Sequence, residues 1–377
     1  MKRYRIDRLV SDNNNSVVYL GYAKEGIQHV TNPGQPVAIK KVKKKFFDWS
    51  EIMSIREVDS LRRITHPNLV KLREVIKEAD DLYLIFDPIE ATLAEVKDKF
   101  VGLGEEGIKH VFGHMVSGVA ALHKKGIMHR NLCPENIYLR NHGKEALVGG
   151  FSMSKFVPKA PATLSSGMMM GAESEIYRHT EYIGSRPYRS PEQLLKLPYS
   201  YAADVFSLGV LFVELIIGRQ LFLCGSEIDQ MHAIIGLMGY DELHDWPEGR
   251  EKFSQLGFIP NPARAGGKKI SSLLPDEVSQ EGLVLIDKML RLNPQERIRC
   301  ADILTDPFFM PSEMKHRRKR GGKYVDSLIG VGKEPDDIFA EEETYKDSVK
   351  EGTDPIDDIE GGGEGSGQDA SLLPGNK

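Results

Sequence analysis

The apolar periodicity of this chain changes once, and that change limits the folds open to it. Between residues 4 and 90, β-branched and aromatic residues gather in short runs at 4–10, 17–23, 36–42 and 82–86, each bounded by turn formers. From about residue 105 the spacing becomes helical: Ile108, Val111, Phe112, Met115, Val119 and Leu122 fall on one face. One helical pattern interrupts the strands. Ile52, Ile55, Val58, Leu61 and Ile64 recur after Ser50, which reads as its N-cap. Further helices are expected at 202–217, 228–237, 279–290 and 300–305. A strand-rich unit followed by a larger helical one gives an α+β class with two lobes, at 1–90 and 91–310.

Beyond residue 310 the pattern stops. From Pro311 the chain holds 10 Lys+Arg and 16 Asp+Glu, so removing the tail's −6 from the whole chain's −5 leaves the first 310 residues at +1. The tail charges come in blocks. Six cations lie between Lys315 and Lys323, and 13 acids against two lysines lie between Glu334 and Glu364. Single-sign blocks followed by GGGEGSG cannot build a core, so 311–377 is expected to be a disordered charged tail. Its basic run, Lys315 to Arg320, reads equally as a solvated block, a nuclear import signal or a contact for an acidic surface. A near-neutral body excludes a wholly basic nucleic-acid binder. Cys133, Cys224 and Cys300 show no CxxC spacing, which argues against a disulfide framework or structural zinc and fits a reducing compartment. No secretory signal is expected at the N-terminus, and no 18-residue apolar run suggests a membrane span.

Three segments carry chemistry. Val37-Ala38-Ile39-Lys40 places a lysine in an apolar strand, and Glu57 follows in the next helix. Each alone reads as a solvated charge. Together they match the lysine–carboxylate pair that holds the α- and β-phosphates of ATP in kinases. His129-Arg130-Asn131-Leu132-Cys133-Pro134-Glu135-Asn136 follows the long amphipathic helix, and Gly150-Phe151-Ser152 comes 14 residues after Asn136. Thr180-Glu181-Tyr182 then precedes Arg186-Pro187-Tyr188-Arg189-Ser190-Pro191-Glu192.

These segments, in order and at this spacing, resemble the HRDLKPEN, DFG, TEY and APE motifs of protein kinases over residues 4–310. Arg56-Glu57-Val58, Thr180 to Tyr182, Ser226 to Asp229 and Asp245 to Gly249 are most similar to the CMGC group, and within it to the MAK/ICK/MOK-like (RCK) Ser/Thr kinases. The resemblance implies a bilobal kinase fold. It gives structural roles to Asp204 and to an Arg297–Glu192 pair. It assigns nucleotide binding to Lys40, Glu57, Ala38, the hinge at Asp87 and Ile89, and Asn136. It also implies an intracellular setting, the cytoplasm, with the nucleus or a cilium or flagellum as further locations.

Departures from the family pattern set the functional expectation. Ser11 to Ser16 replaces the glycine-rich loop, whose glycines let backbone N–H groups close on phosphates. Asn131 stands at the catalytic Asp position and has no carboxylate to take a proton, a loss of roughly 10²–10⁴ in rate. Cys133 replaces the phosphate-neutralising lysine. Gly150 replaces the metal-binding DFG Asp, leaving Asn136 as a weak Mg²⁺ ligand. The expectation is a catalytically impaired kinase-like protein with weak, metal-independent ATP binding or none, acting as a scaffold or allosteric regulator on a protein partner such as an active kinase or its substrate. The alternative is a weakly active Ser/Thr kinase in which Lys40, Glu57 and Asn136 still handle ATP and Glu90, Glu95 or another acid compensates. Thr180 and Tyr182 are expected regulatory phosphorylation sites, with Arg130 as the cation that grips the phosphate. The Met-rich stretch 165–171 reads first as a flexible insert and second as a docking loop.

Overall fold

The computed structural model describes residues 1, 3–12, 15–24, 34–100, 104–157, 182–257 and 270–310. All of them lie in one compact unit, Met1–Pro335. Asn13, Asn14, the Met-rich stretch, Thr180 and the tail fall outside the described residues.

Five strands form an antiparallel sheet in the order β1-β2-β3-β5-β4: β1 (Tyr4–Asp12), β2 (Ser16–Ala23), β3 (Pro36–Val42), β4 (Leu72–Glu78) and β5 (Asp81–Phe86). The sequence pattern left β4 unread. Its residues LREVIKE are mostly half-exposed and charged, and a register shift between Leu72 and Glu74 breaks the alternation. The helix expected after Ser50 is two helices, α1 (Trp49–Met53) and α2 (Arg56–Arg62). Asp48, not Ser50, caps α1: its Oδ1 accepts the Glu51 N–H at 2.8 Å. Ile55 between them is extended, and the apolar spacing runs through this break unchanged.

The second part holds β6 (Ala91–Thr92), α3 (Leu93–Val96), α4 (Gly104–Lys124), β7 (Ile127–Met128), β8 (Ile137–Arg140), β9 (Glu145–Val148) and β10 (Lys155–Phe156). Then come α5 (Pro191–Leu194), α6 (Ala202–Ile217), α7 (Glu227–Met238), α8 (Pro247–Gln255), α9 (Gln280–Leu290) and α10 (Cys300–Ile303). Small sheets β6-β8-β9 and β10-β7 flank the site. Every residue of α6 from Ala203 to Leu215 is buried, as expected for a helix apolar on all sides. It packs on α4, with Phe112 and Phe212 stacked 4.2 Å apart. Ser279 caps α9 by accepting the Gly282 N–H. One apolar core runs through both parts, from Leu61, Leu72 and Leu84 to Phe112 and Phe206. The fold is the α+β arrangement anticipated from the sequence. No helix among the described residues is long and apolar enough to cross a membrane.

Candidate active site

The cleft has one wall made by the sheet and α2. Pairing of β3 with β2 and β5 sets Lys40 opposite Val18 and Leu84. Its Nζ lies 2.5 Å from Oε2 of buried Glu57, so the pair expected from sequence is formed. A hydroxyl bridge holds α2 in place: Ser60 Oγ and Ser154 Oγ are 2.7 Å apart. Ala38 is buried opposite Phe86. Asp87 turns its carboxylate onto Arg73 and its N–H onto Lys71 O, so only its carbonyl faces other partners. Ile89 follows Pro88 in the same connection, just before the Glu90 N–H bonds Leu139 O. Where described, the replaced glycine-rich loop is held by charge, with Lys43 Nζ 2.7 Å from Asp12 Oδ1.

The opposite wall is built around Asp204, near the start of α6. Its two oxygens accept the His129 and Arg130 N–H groups, each at 2.8 Å, and His123 Nε2 lies 2.9 Å away. Burial alone would raise the Asp204 pKa, but the His123 bond and the neighbouring histidines outweigh it and hold it below the usual carboxylate value. His129 donates from Nε2 to Gly149 O and accepts the Asn131 N–H at Nδ1. Burial lowers its pKa, so the neutral ring fits both bonds. Phe151 packs edge-on against it.

Within this intact frame the reacting positions are differently arranged. Asn131 Oδ1 accepts the Ser185 N–H at 2.9 Å, tying the catalytic-base position to the activation segment. Gly184 makes this close approach workable. Its φ is +85°, and a Cβ there would lie 2.5 Å from Arg130 O. Cys133 is buried, and burial followed by the Glu135 carboxylate pushes its thiol pKa far up, so it is an uncharged group. Asn136 donates from Nδ2 to Asn131 O at 2.8 Å and to Cys133 Sγ at 3.3 Å. Its Oδ1 lies 2.2 Å from where a Gly150 Cβ would stand. Asn136 therefore occupies the space of the missing carboxylate. Neither candidate substitute faces this point: Glu90 accepts the His142 N–H, and Glu95 caps α3 through the Thr92 N–H. Among the described residues no cluster of three or more His, Cys, Asp or Glu could hold a metal. The residues present do not fit a Mg²⁺ ion held as kinases hold it.

Arg130 donates to Met153 O and Tyr199 OH, while its Nη2 is buried with no partner among the described residues. Lys155 lies close by, its pKa lowered by burial and then by Arg130 and Arg56. Of these cations the sequence points to Arg130 alone as a phosphate partner. Tyr182 is exposed at φ +57°, with Lys196 Nζ 4.7 Å from its ring centroid. Arg297 and Glu192 form a fully buried bidentate pair with both bonds at 2.6 Å. Ser185, Gly149 and Tyr138 were not singled out from sequence. The consecutive glycines at 149 and 150 were the one signal that the backbone is tightly approached there.

The protein kinase domain family matches residues 19–309. Over 318 residues the chain is 31% identical to the serine/threonine-protein kinase MAK of Homo sapiens, covering 83% of this chain and 46% of that protein. It is 32% identical to the serine/threonine-protein kinase ICK of Rattus norvegicus over 317 residues, 82% of this chain and 45% of that protein. It is also 32% identical to cyclin-dependent kinase F-3 of Oryza sativa subsp. japonica over 313 residues, 82% and 65% of the two chains. The chain thus spans about half the length of the curated relatives it matches. With the sheet, the Lys40–Glu57 pair and the Asp204-centred loop all in place, the chain belongs to the protein kinase family.

Proposed function

We propose that this chain is a kinase-fold regulator whose phosphoryl transfer is impaired, and that it acts by binding a protein partner. The observation that carries this reading is Asn136 standing in the space above Gly150 where a metal-holding carboxylate would be. Kinase chemistry is mainly positioning and charge stabilisation. Here the position that should hold Mg²⁺ offers no carboxylate, only the neutral amide of Asn136, the base position is an amide, and the cation that should face the transferred phosphate is a buried thiol. The test is transfer of radiolabelled γ-phosphate from ATP with Mg²⁺ to a generic protein substrate. Transfer no greater than that of Lys40→Ala supports the reading, and transfer clearly above it sinks the reading.

A second reading, a weakly active Ser/Thr kinase, has its own support. Lys40 and Glu57 are paired as nucleotide binding needs, and the relatives above carry the name serine/threonine-protein kinase. The same assay separates the two.

The buried Arg130 Nη2 supports control by phosphate on Thr180, since a phosphate would give it the acceptor it lacks among the described residues. Arg130→Ala should then abolish any gain in thermal stability seen when Thr180 is phosphorylated. An unchanged gain would reject Arg130 as the phosphate's partner.

A further inference from the structure

Tyr138 belongs to neither the framework nor the degenerate motifs; it is half-buried, packed against the apolar core and against Gly149, the residue before Gly150. On β8, Ile137 and Leu139 are buried in the core, while Tyr138 points to the opposite side. Its ring lies flush against Gly149. A Cβ on Gly149 would be 2.5 Å from Tyr138 Cε2 and 2.8 Å from Val70 Cγ1. Gly149 cannot retreat, because its N–H is bound to Asn136 O at 2.9 Å and its carbonyl to His129 Nε2 at 2.7 Å. The ring therefore exploits a missing side chain on a pinned backbone. Burial, then the Glu57 carboxylate, then Cys133 push its phenol pKa up. Glu57 is the residue that pairs with Lys40, and Cys133 is bonded by Asn136, the residue two positions before Tyr138.

We propose that Tyr138, seated on Gly149, fills part of the nucleotide cleft and is the residue that keeps ATP out of it. This rests on the reading of the cleft as a kinase nucleotide site. An aromatic ring buries about 150–250 Å². A nucleotide entering here must first displace that contact, and only afterwards meets Lys40. Ring volume, not the hydroxyl, is the obstacle.

The test is ATP binding by the full chain without Mg²⁺, followed by isothermal titration calorimetry, with thermal melting to confirm that each variant is folded. Tyr138→Leu is expected to bind ATP at least about tenfold more tightly than the natural chain, which is about 1.4 kcal/mol. Tyr138→Met, which keeps more bulk in the strand, should move the same way if the leucine variant fails to fold. Tyr138→Phe keeps the ring and should remain closed. Affinity unchanged or reduced in the folded leucine or methionine variant overturns the proposal, as does an absence of binding in all of them. Phosphate transfer is assayed separately on the same proteins. A variant that gains ATP binding without transfer supports both the occlusion and the impaired-transfer reading. One that gains both supports the occlusion and overturns the impaired-transfer reading.

Discussion

The two walls of the cleft have departed from the kinase pattern to different degrees. The sheet-side wall keeps its charged pair, Lys40 and Glu57, in direct contact. The loop-side wall keeps every group that holds backbone to backbone, from Asp204 through His129 to Gly149, but carries an amide, a thiol and a glycine where reacting groups belong. The difference teaches what each residue answers to. Asp204 satisfies two buried N–H groups, and leaving them unpaired costs about 1–3 kcal/mol each. Losing it would harm folding at once. Asn131, Cys133 and Gly150 answer mainly to a ligand. The fold has adapted to them instead, with Ser185 bonded to Asn131 and Asn136 turned over Gly150.

Reversing the loop-side changes gives the largest expected effect. In a Tyr138→Leu background, which opens the cleft to ATP, Asn131→Asp, Cys133→Lys and Gly150→Asp together should raise phosphate transfer by roughly 10² or more over the Tyr138→Leu chain alone. Asn131→Asp alone should leave it at background. If the combined variant stays at background, the loss extends beyond this wall to the replaced glycine-rich loop. Gly150→Asp alone must also displace Asn136, so it should lower the melting temperature without Mg²⁺ and recover it when millimolar Mg²⁺ is added. A melt unchanged by Mg²⁺ would mean that the new carboxylate does not reach a metal.

Breaking the framework should instead cost stability. Arg297→Ala leaves Glu192 charged and fully buried, a loss of about 3–5 kcal/mol in denaturant unfolding. Lys40→Ala should cost less, about 1–2 kcal/mol, because Lys40 keeps some contact with solvent. Ser279→Ala, remote from both walls, removes the cap of α9 together with the hydroxyl's bond to Glu105 and should cost about 1–2 kcal/mol. A Lys40 effect as large as that of Arg297 would show that the sheet-side wall is also chiefly structural.

Much of this was legible in the sequence because the relevant signals are local. The α6 range follows from a mostly apolar stretch interrupted only by Asp204, Ser207 and Glu214, and the β3 lysine and the loop motif lie in short contiguous runs. What escaped reading depends on distant partners. The break between α1 and α2 preserves apolar spacing, so periodicity passes over it. Charged, half-exposed β4 carries little alternation. Ser185 meets Asn131 across 54 residues. The substitutions at 131, 133 and 150 were readable as missing chemistry. That Asn136 would move over Gly150, and that Tyr138 would lie on Gly149, depends on side-chain volumes in three dimensions.

The bond from Ser185 to Asn131 fixes more than position. With its oxygen engaged by that N–H, the amide is left with its NH₂ group, a donor, as its free function. A carboxylate there would accept hydrogen bonds, whereas this amide offers them. The polarity of the spot is inverted, so a small molecule suited to it carries a carbonyl or an anionic oxygen where an ordinary kinase would receive a hydroxyl.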